Sequence, residues 1–476
     1  MPGRSAPAEP GVGRDLASRH FASPATAEKQ PVAWPPAPAN DFPEFIRTYF
    51  NECHRRMSRI EAIAGKWTFE DLIPGMSDFD SRFLCANTMT ADDWCRMSMI
   101  VGQVHLDLCV QYPEWARILE HLPGVNLVWR ELADETTYYP EYPQWTFYQA
   151  IDEHRLQAAQ SVLSRRPWDH KDEYFHLKKF LLYYGPYNRS IDRPINMDAF
   201  EVKYPLHSRL MHYFTPPLQS AVSICLKRPV RGKLEALRLA EELFPEIPVF
   251  RETRELVARH YEADELYEEP ALSMLEQRLF EGLQRVAAAL GEHVSILPRD
   301  VVRGGPEAWR PALKKIPVAP SLLIFDNAKF ARLMRGRLYF YVNAPTSFDH
   351  VFLIQNELNR IGHNFFRVPF ALFWEMTRGE KVADPAAIVP RLVPDVLTKE
   401  QAACTLEFDR LTRLPYMGRE DRIARDIIAI YDGFYHALFT ISEKTRELEG
   451  NKHHESQSTI PHFNNCGSVV GGQQTP

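Results

Sequence analysis

The stretch Leu72-Ile73-Pro74-Gly75-Met76-Ser77-Asp78-Phe79-Asp80-Ser81-Arg82-Phe83-Leu84-Cys85 sets two carboxylates two residues apart, after a Pro-Gly turn and at the start of an alternating run. Residues two apart on a strand project from one face, about 7 Å apart along the backbone. Asp78 and Asp80 can therefore converge on one divalent cation. Hard oxygen ligands beside a tight turn suit Mg²⁺ and the phosphates it neutralises. The simpler role for a turn aspartate is to cap its own backbone. Arg82, which continues the polar face while Phe79 and Phe83 take the other, favours the metal; it can pair with the carboxylates or hold a phosphate.

Three enzyme groups use Asp-x-Asp beside phosphates, and the flanks separate them. Nucleotide-sugar glycosyltransferases and haloacid-dehalogenase-type phosphatases carry the pair at the end of an apolar strand. Here a polar turn precedes the pair and the apolar alternation follows it. Ser77-Asp78-Phe79-Asp80 resembles the motif of the DNA polymerase beta-like nucleotidyltransferase superfamily, over about residues 42–135. That family holds the triphosphate on a Gly-Gly or Gly-Ser roughly a dozen residues upstream, where this chain has Gly65-Lys66; Lys66 replaces the small second residue.

The resemblance implies that Asp78 and Asp80 bind Mg²⁺ with a third carboxylate from a neighbouring strand. Glu131, in Val125 to Leu132, is the first candidate, ahead of Asp134 and Asp107. It implies nucleotide contacts from Gly65, Lys66, Ser77 and Arg82. The family's helical domains also lend a basic residue to the triphosphate, here Lys203 or Arg209. The aromatic cluster Tyr138 to Tyr148 can stack a base, although packing of a linker accounts for it more simply. His170 and His176, like His350, Glu357 and His363, match no metal-ligand spacing.

The elements that must position these residues read as an α+β chain: a small nucleotidyltransferase-like mixed sheet with helices, followed by a large, mainly helical region. Residues 1–40, rich in Pro, Ala, Gly and Ser, form a disordered leader, and 41–148 the α/β domain. A helix is expected from Asp41 to Ala64 with Gly65 as its C-cap, then strands around the Pro-Gly turn. Thr90 is an N-cap with Asp92 and Asp93 behind it, and a strand follows over 125–132. Residues 149–298 form a helical domain. Residues 299–449 are mixed and mainly helical, with short strands at Ser321 to Phe325 and Leu338 to Val342. The polar tail 450–476 is expected to be disordered.

With 56 Lys+Arg against 62 Asp+Glu the net charge is −6, which favours a small-molecule acceptor over nucleic acid. Seven scattered cysteines without a C-x-x-C pair read as reduced, buried thiols. No apolar run reaches the ~20 residues that span a bilayer, so a cytoplasmic protein without a membrane partner is expected. Walker, G-x-G-x-x-G and G-x-S-x-G motifs are absent from the sequence. The expected activity is Mg²⁺-dependent transfer of a nucleoside monophosphate from a triphosphate such as ATP to a small acceptor, releasing pyrophosphate. A catalytically silent nucleotide-binding relative and a DxD glycosyltransferase are the alternatives.

Overall fold

The computed structural model describes residues 42–72, 77, 79–115, 119, 122–183, 215–263, 269–344 and 350–458. Helix α1 (Phe42–Arg56) buries Phe45, Ile46, Tyr49 and Phe50 on one side and exposes Glu44 and Arg47 on the other, the i, i+3, i+4 pattern of a half-buried helix. It leads into β1 (Ile60–Gly65), a one-turn helix Phe69–Asp71, and β2 (Ser81–Cys85), which pairs antiparallel with β1. Helix α2 (Ala91–Gln111) opens on a capping box in which Thr90 and Asp93 exchange backbone and side-chain hydrogen bonds. Next come the two-residue β3 (Leu127–Val128), parallel to β2, and β4 (Thr146–Ala150), antiparallel to β1. The sheet order is β3-β2-β1-β4.

Strand alternation decides which face each side chain serves. Phe83 packs on Tyr49 of α1, centroids 5.6 Å apart, whereas Leu84 joins Leu127 and Trp145 in a separate core on the other face. Helix α3 (Glu153–Arg165) closes that second face through Leu156 and Leu163.

The following helices are α4 (His170–Tyr183), α5 (Thr215–Leu226), α6 (Lys233–Leu243), α7 (Val249–Ala263), α8 (Glu269–Leu290), α9 (Arg299–Arg303) and α10 (Gly305–Leu313). They surround their own core, with Leu177, Val222, Leu237, Phe250, Leu283 and Trp309 buried together. The remainder is α11 (Pro320–Ala331), α12 (Met334–Asn343), α13 (His350–Ile361), α14 (Val368–Arg378), α15 (Lys399–Thr412) and α16 (Glu420–Ser458), with a π-helical turn, Gly362–Arg367, joining α13 to α14. This last group shares one core with α1, the sheet and α2. Gly102 of α2 meets Gly336 of α12: a β-carbon on Gly102 would lie 2.8 Å from the Gly336 backbone.

Several expectations are corrected. The segments Ser321 to Phe325 and Leu338 to Val342 are helical, within α11 and α12; both are apolar runs too short for periodicity to distinguish strand from buried helix. The first helix stops at Arg56, and Gly65 ends a strand, not a helix. Residues 125–132 contain only two strand residues before a one-turn helix, Trp129–Leu132. Helix α16 continues past Gly450 to Ser458. Among the described cysteines, Cys53, Cys85, Cys95 and Cys109 are buried and none is disulfide-bonded, while Cys466 lies outside the described residues. No helix among the described residues is long and apolar enough to cross a membrane.

Candidate functional site

The tip of the β1–β2 pair brings the two halves of the motif together. Gly65 pairs with Ser81, and the Lys66 amide donates to the Asp80 carbonyl at 3.3 Å. Gly65 is fixed by its neighbour Tyr148, whose ring occupies the space a β-carbon would need and whose hydroxyl donates to the Trp67 carbonyl. Asp80 is half-buried, and its carboxylate has no hydrogen-bond partner or ion pair among the described residues. Asp78, Lys203 and Arg209 lie outside the described residues. Ser77 is buried, and its hydroxyl donates to the Asp71 carbonyl at 2.5 Å.

Facing this tip is α4, which contributes Lys179. Burial, with the charge of Lys66 nearby, holds the Lys179 ammonium down to about 7, against the opposing pull of Glu141 and Asp80. Lys66 and Lys179, from different segments, thus repel one another, while Asp80 and Glu141 attract Lys179. Lys66 extends over the Trp67 ring at 4.6 Å, and Lys179 donates to Gln219 Oε1 at 3.4 Å.

Arg82 is buried and committed. One of its nitrogens reaches Glu141 at 3.2 Å, another donates to the Ser81 carbonyl at 2.8 Å, and its guanidinium lies over Trp145. Burial works to raise the Glu141 carboxyl, but Arg82, Lys66, Lys179 and the Trp145 indole hold it at about 2. Arg82 is thus a wall of the site that keeps Glu141 ionised. Beyond Glu141 lies Asp326 of α11, pushed up to about 6 by burial and only partly relieved by Lys329, 3.7 Å away.

Glu131 faces elsewhere. It is buried, and its two oxygens accept from Arg332 at 2.7 and 2.8 Å; the Val128 amide donates at 2.9 Å and Arg446 approaches at 3.3 Å. Burial would raise its carboxyl, yet Arg332 and Lys329 keep it at about 2. Its lone pairs are used in joining the sheet to α11 and α16. No three His, Cys, Asp or Glu residues among those described are grouped to hold a metal. Among the described residues no hydrogen bond occupies the Asp80 oxygens, so Asp80 fits a ligand's role, which Glu131 does not.

The remaining candidates are structural. Asp107 pairs with Arg56 at 2.7 Å, and Asp134 caps Thr136 at 2.9 Å. Tyr138, Tyr142, Trp145 and Phe147 are core residues of the sheet's second face, so the aromatic cluster is packing. Glu357 is buried against Arg337 and Arg360. His176 is buried beside Trp168 and driven well below its ordinary range by burial and Lys179. Sequence reasoning missed Lys179 and Glu141. Lys178-Lys179 in an otherwise apolar helix segment was the one available signal, and Glu141 carried none. Comparison with protein-family models, curated proteins and solved structures finds no match.

Proposed function

We propose that the chain is a Mg²⁺-dependent nucleotidyltransferase acting on a small-molecule acceptor in the cytoplasm. An acceptor hydroxyl or phosphate oxygen attacks the α-phosphorus of a nucleoside triphosphate, the α–β bridging bond breaks, pyrophosphate leaves with its electron pair, and a hydroxyl acceptor releases its proton to water. The observation that carries this reading is the Asp80 carboxylate, without a hydrogen-bond partner among the described residues, near Lys66 and Lys179 from two separate parts of the chain.

Asp80, with Asp78 two residues before it, would hold the metal, which when bound neutralises the triphosphate and the departing pyrophosphate. Lys66 and Lys179 bind and orient the phosphates, offsetting their negative charge where water is partly excluded. The buried Arg82–Glu141 pair fixes the wall against which Lys179 rests. Replacing Asp80 and Asp78 separately with Asn tests the assignment. Loss of Mg²⁺-dependent pyrophosphate release is expected for each, and full release by both variants would overturn it.

The commitment of Glu131 to Arg332 favours a second reading, a nucleotide-binding relative without turnover, since it removes the expected third carboxylate. Calorimetry separates the two: binding of a nucleoside triphosphate with Mg²⁺, without pyrophosphate release over a panel of acceptors, selects the silent form.

A further inference from the structure

Asp71 is fully buried and caps two helix starts at once. Its Oδ2 accepts from the amide and hydroxyl of Thr68, at 3.1 and 2.7 Å, within the turn Phe69–Asp71. Its Oδ1 accepts from the amides of Lys233 and Leu234, at 2.7 and 2.8 Å, the first residues of α6. A carboxylate at a helix N-terminus satisfies otherwise orphaned amides and meets the positive end of the helix dipole. Here it does so across 162 positions of sequence. The fit depends on Gly232, at φ +79°, where any β-carbon would collide with the Asp71 carboxylate.

The same turn also holds Lys179. The Gln219 amide donates to the carbonyls of Val230 at 2.9 Å and Gly232 at 3.4 Å, while its oxygen receives the Lys179 ammonium. On the other side, the Asp71 carbonyl receives the Ser77 hydroxyl, and Lys233 Nζ lies 4.1 Å from the ring of Trp67, the residue after Lys66. One continuous path thus runs from Lys66 through Thr68, Asp71, Gly232 and Gln219 to Lys179.

We propose that Asp71 is a positioning residue that sets the separation of Lys66 and Lys179, and with it the affinity for the triphosphate. This rests on the nucleotide-binding reading above. Asp71 is fully buried with its oxygens committed to Thr68, Lys233 and Leu234, so it acts through the helical region that it caps.

The test uses the full chain, with magnesium ATP and inorganic tripolyphosphate as probes in calorimetry. Asp71→Ala is expected to weaken both by about tenfold, the loss that follows when the competent arrangement falls to a tenth of the population. Asp71→Asn keeps an oxygen for the α6 amides and is expected to retain most of the affinity. A purely structural role would lower the melting temperature and leave affinity unchanged in the folded variant. In the unmodified protein, hydrogen exchange at the Lys233 and Leu234 amides is expected to slow when magnesium ATP binds, a readout that does not depend on the variants folding. Wild-type binding matched by Asp71→Ala, or exchange indifferent to bound ATP, overturns the positioning role and leaves the nucleotide reading intact. Failure of the wild type to bind either probe overturns both.

Discussion

Arg332 holds Glu131 with two hydrogen bonds of 2.7 and 2.8 Å, both partners being buried where the sheet meets the C-terminal helices. A bidentate guanidinium–carboxylate pair of this kind joins the chain across 201 positions. It also gives the residue that the family resemblance nominated for metal binding a different role.

Glu131→Gln is expected to destabilise the fold by about 3–5 kcal/mol, because it leaves Arg332 buried without its counter-charge. Mg²⁺ binding at the site proposed for Asp80 is expected to be unchanged. Since the Glu131 carboxyl lies at about 2 in the folded protein, below its ordinary value, the stability it contributes is complete above the unfolded value and is lost as pH falls from about 4.3 through 2. Chemical denaturation of variant and wild type along that range checks both statements.

Lys179 makes a prediction of opposite sign. Its ammonium lies near 7 in the free protein, so above that pH phosphate binding must first take up a proton. Affinity for tripolyphosphate is expected to fall between pH 7 and pH 9, by up to about tenfold per unit. Lys179→Met removes this dependence, and calorimetry at three pH values detects it.

Asp326 carries a raised carboxyl, near 6, so the folded state binds its proton more tightly than the unfolded chain does. Stability associated with this group is present at low pH and is lost as pH rises from the ordinary aspartate range through 6. Asp326→Asn is therefore expected to melt higher than the wild type at pH 8, with the difference shrinking towards pH 4.

Gly336→Ala tests the α2–α12 crossing. Its methyl group would collide with the Ser98 carbonyl, so the helices must separate. A loss of about 1–3 kcal/mol is expected, measured by thermal unfolding, with circular dichroism below the transition used to check that the helices are otherwise intact.

Asp80, expected within the strand, lies just before β2, which begins at Ser81. Local pattern alone determined the α1 face that buries Phe45 and Tyr49 and the Thr90–Asp93 capping box. Each follows from side-chain period or from hydrogen bonds between neighbours in sequence. Tertiary structure decided the rest. Ser321 to Phe325 and Leu338 to Val342 are helices whose residues Ile324, Leu338 and Phe340 join the core shared with Phe366, Phe370 and Tyr431; such short apolar runs do not report that packing. Lys179, Asp71 and Glu131 take their hydrogen-bond partners from segments tens to hundreds of residues away. Charge, burial and hydrogen-bond supply at those positions are properties of the assembled core, so residue spacing could nominate the chemistry but could not say which partners each carboxylate takes.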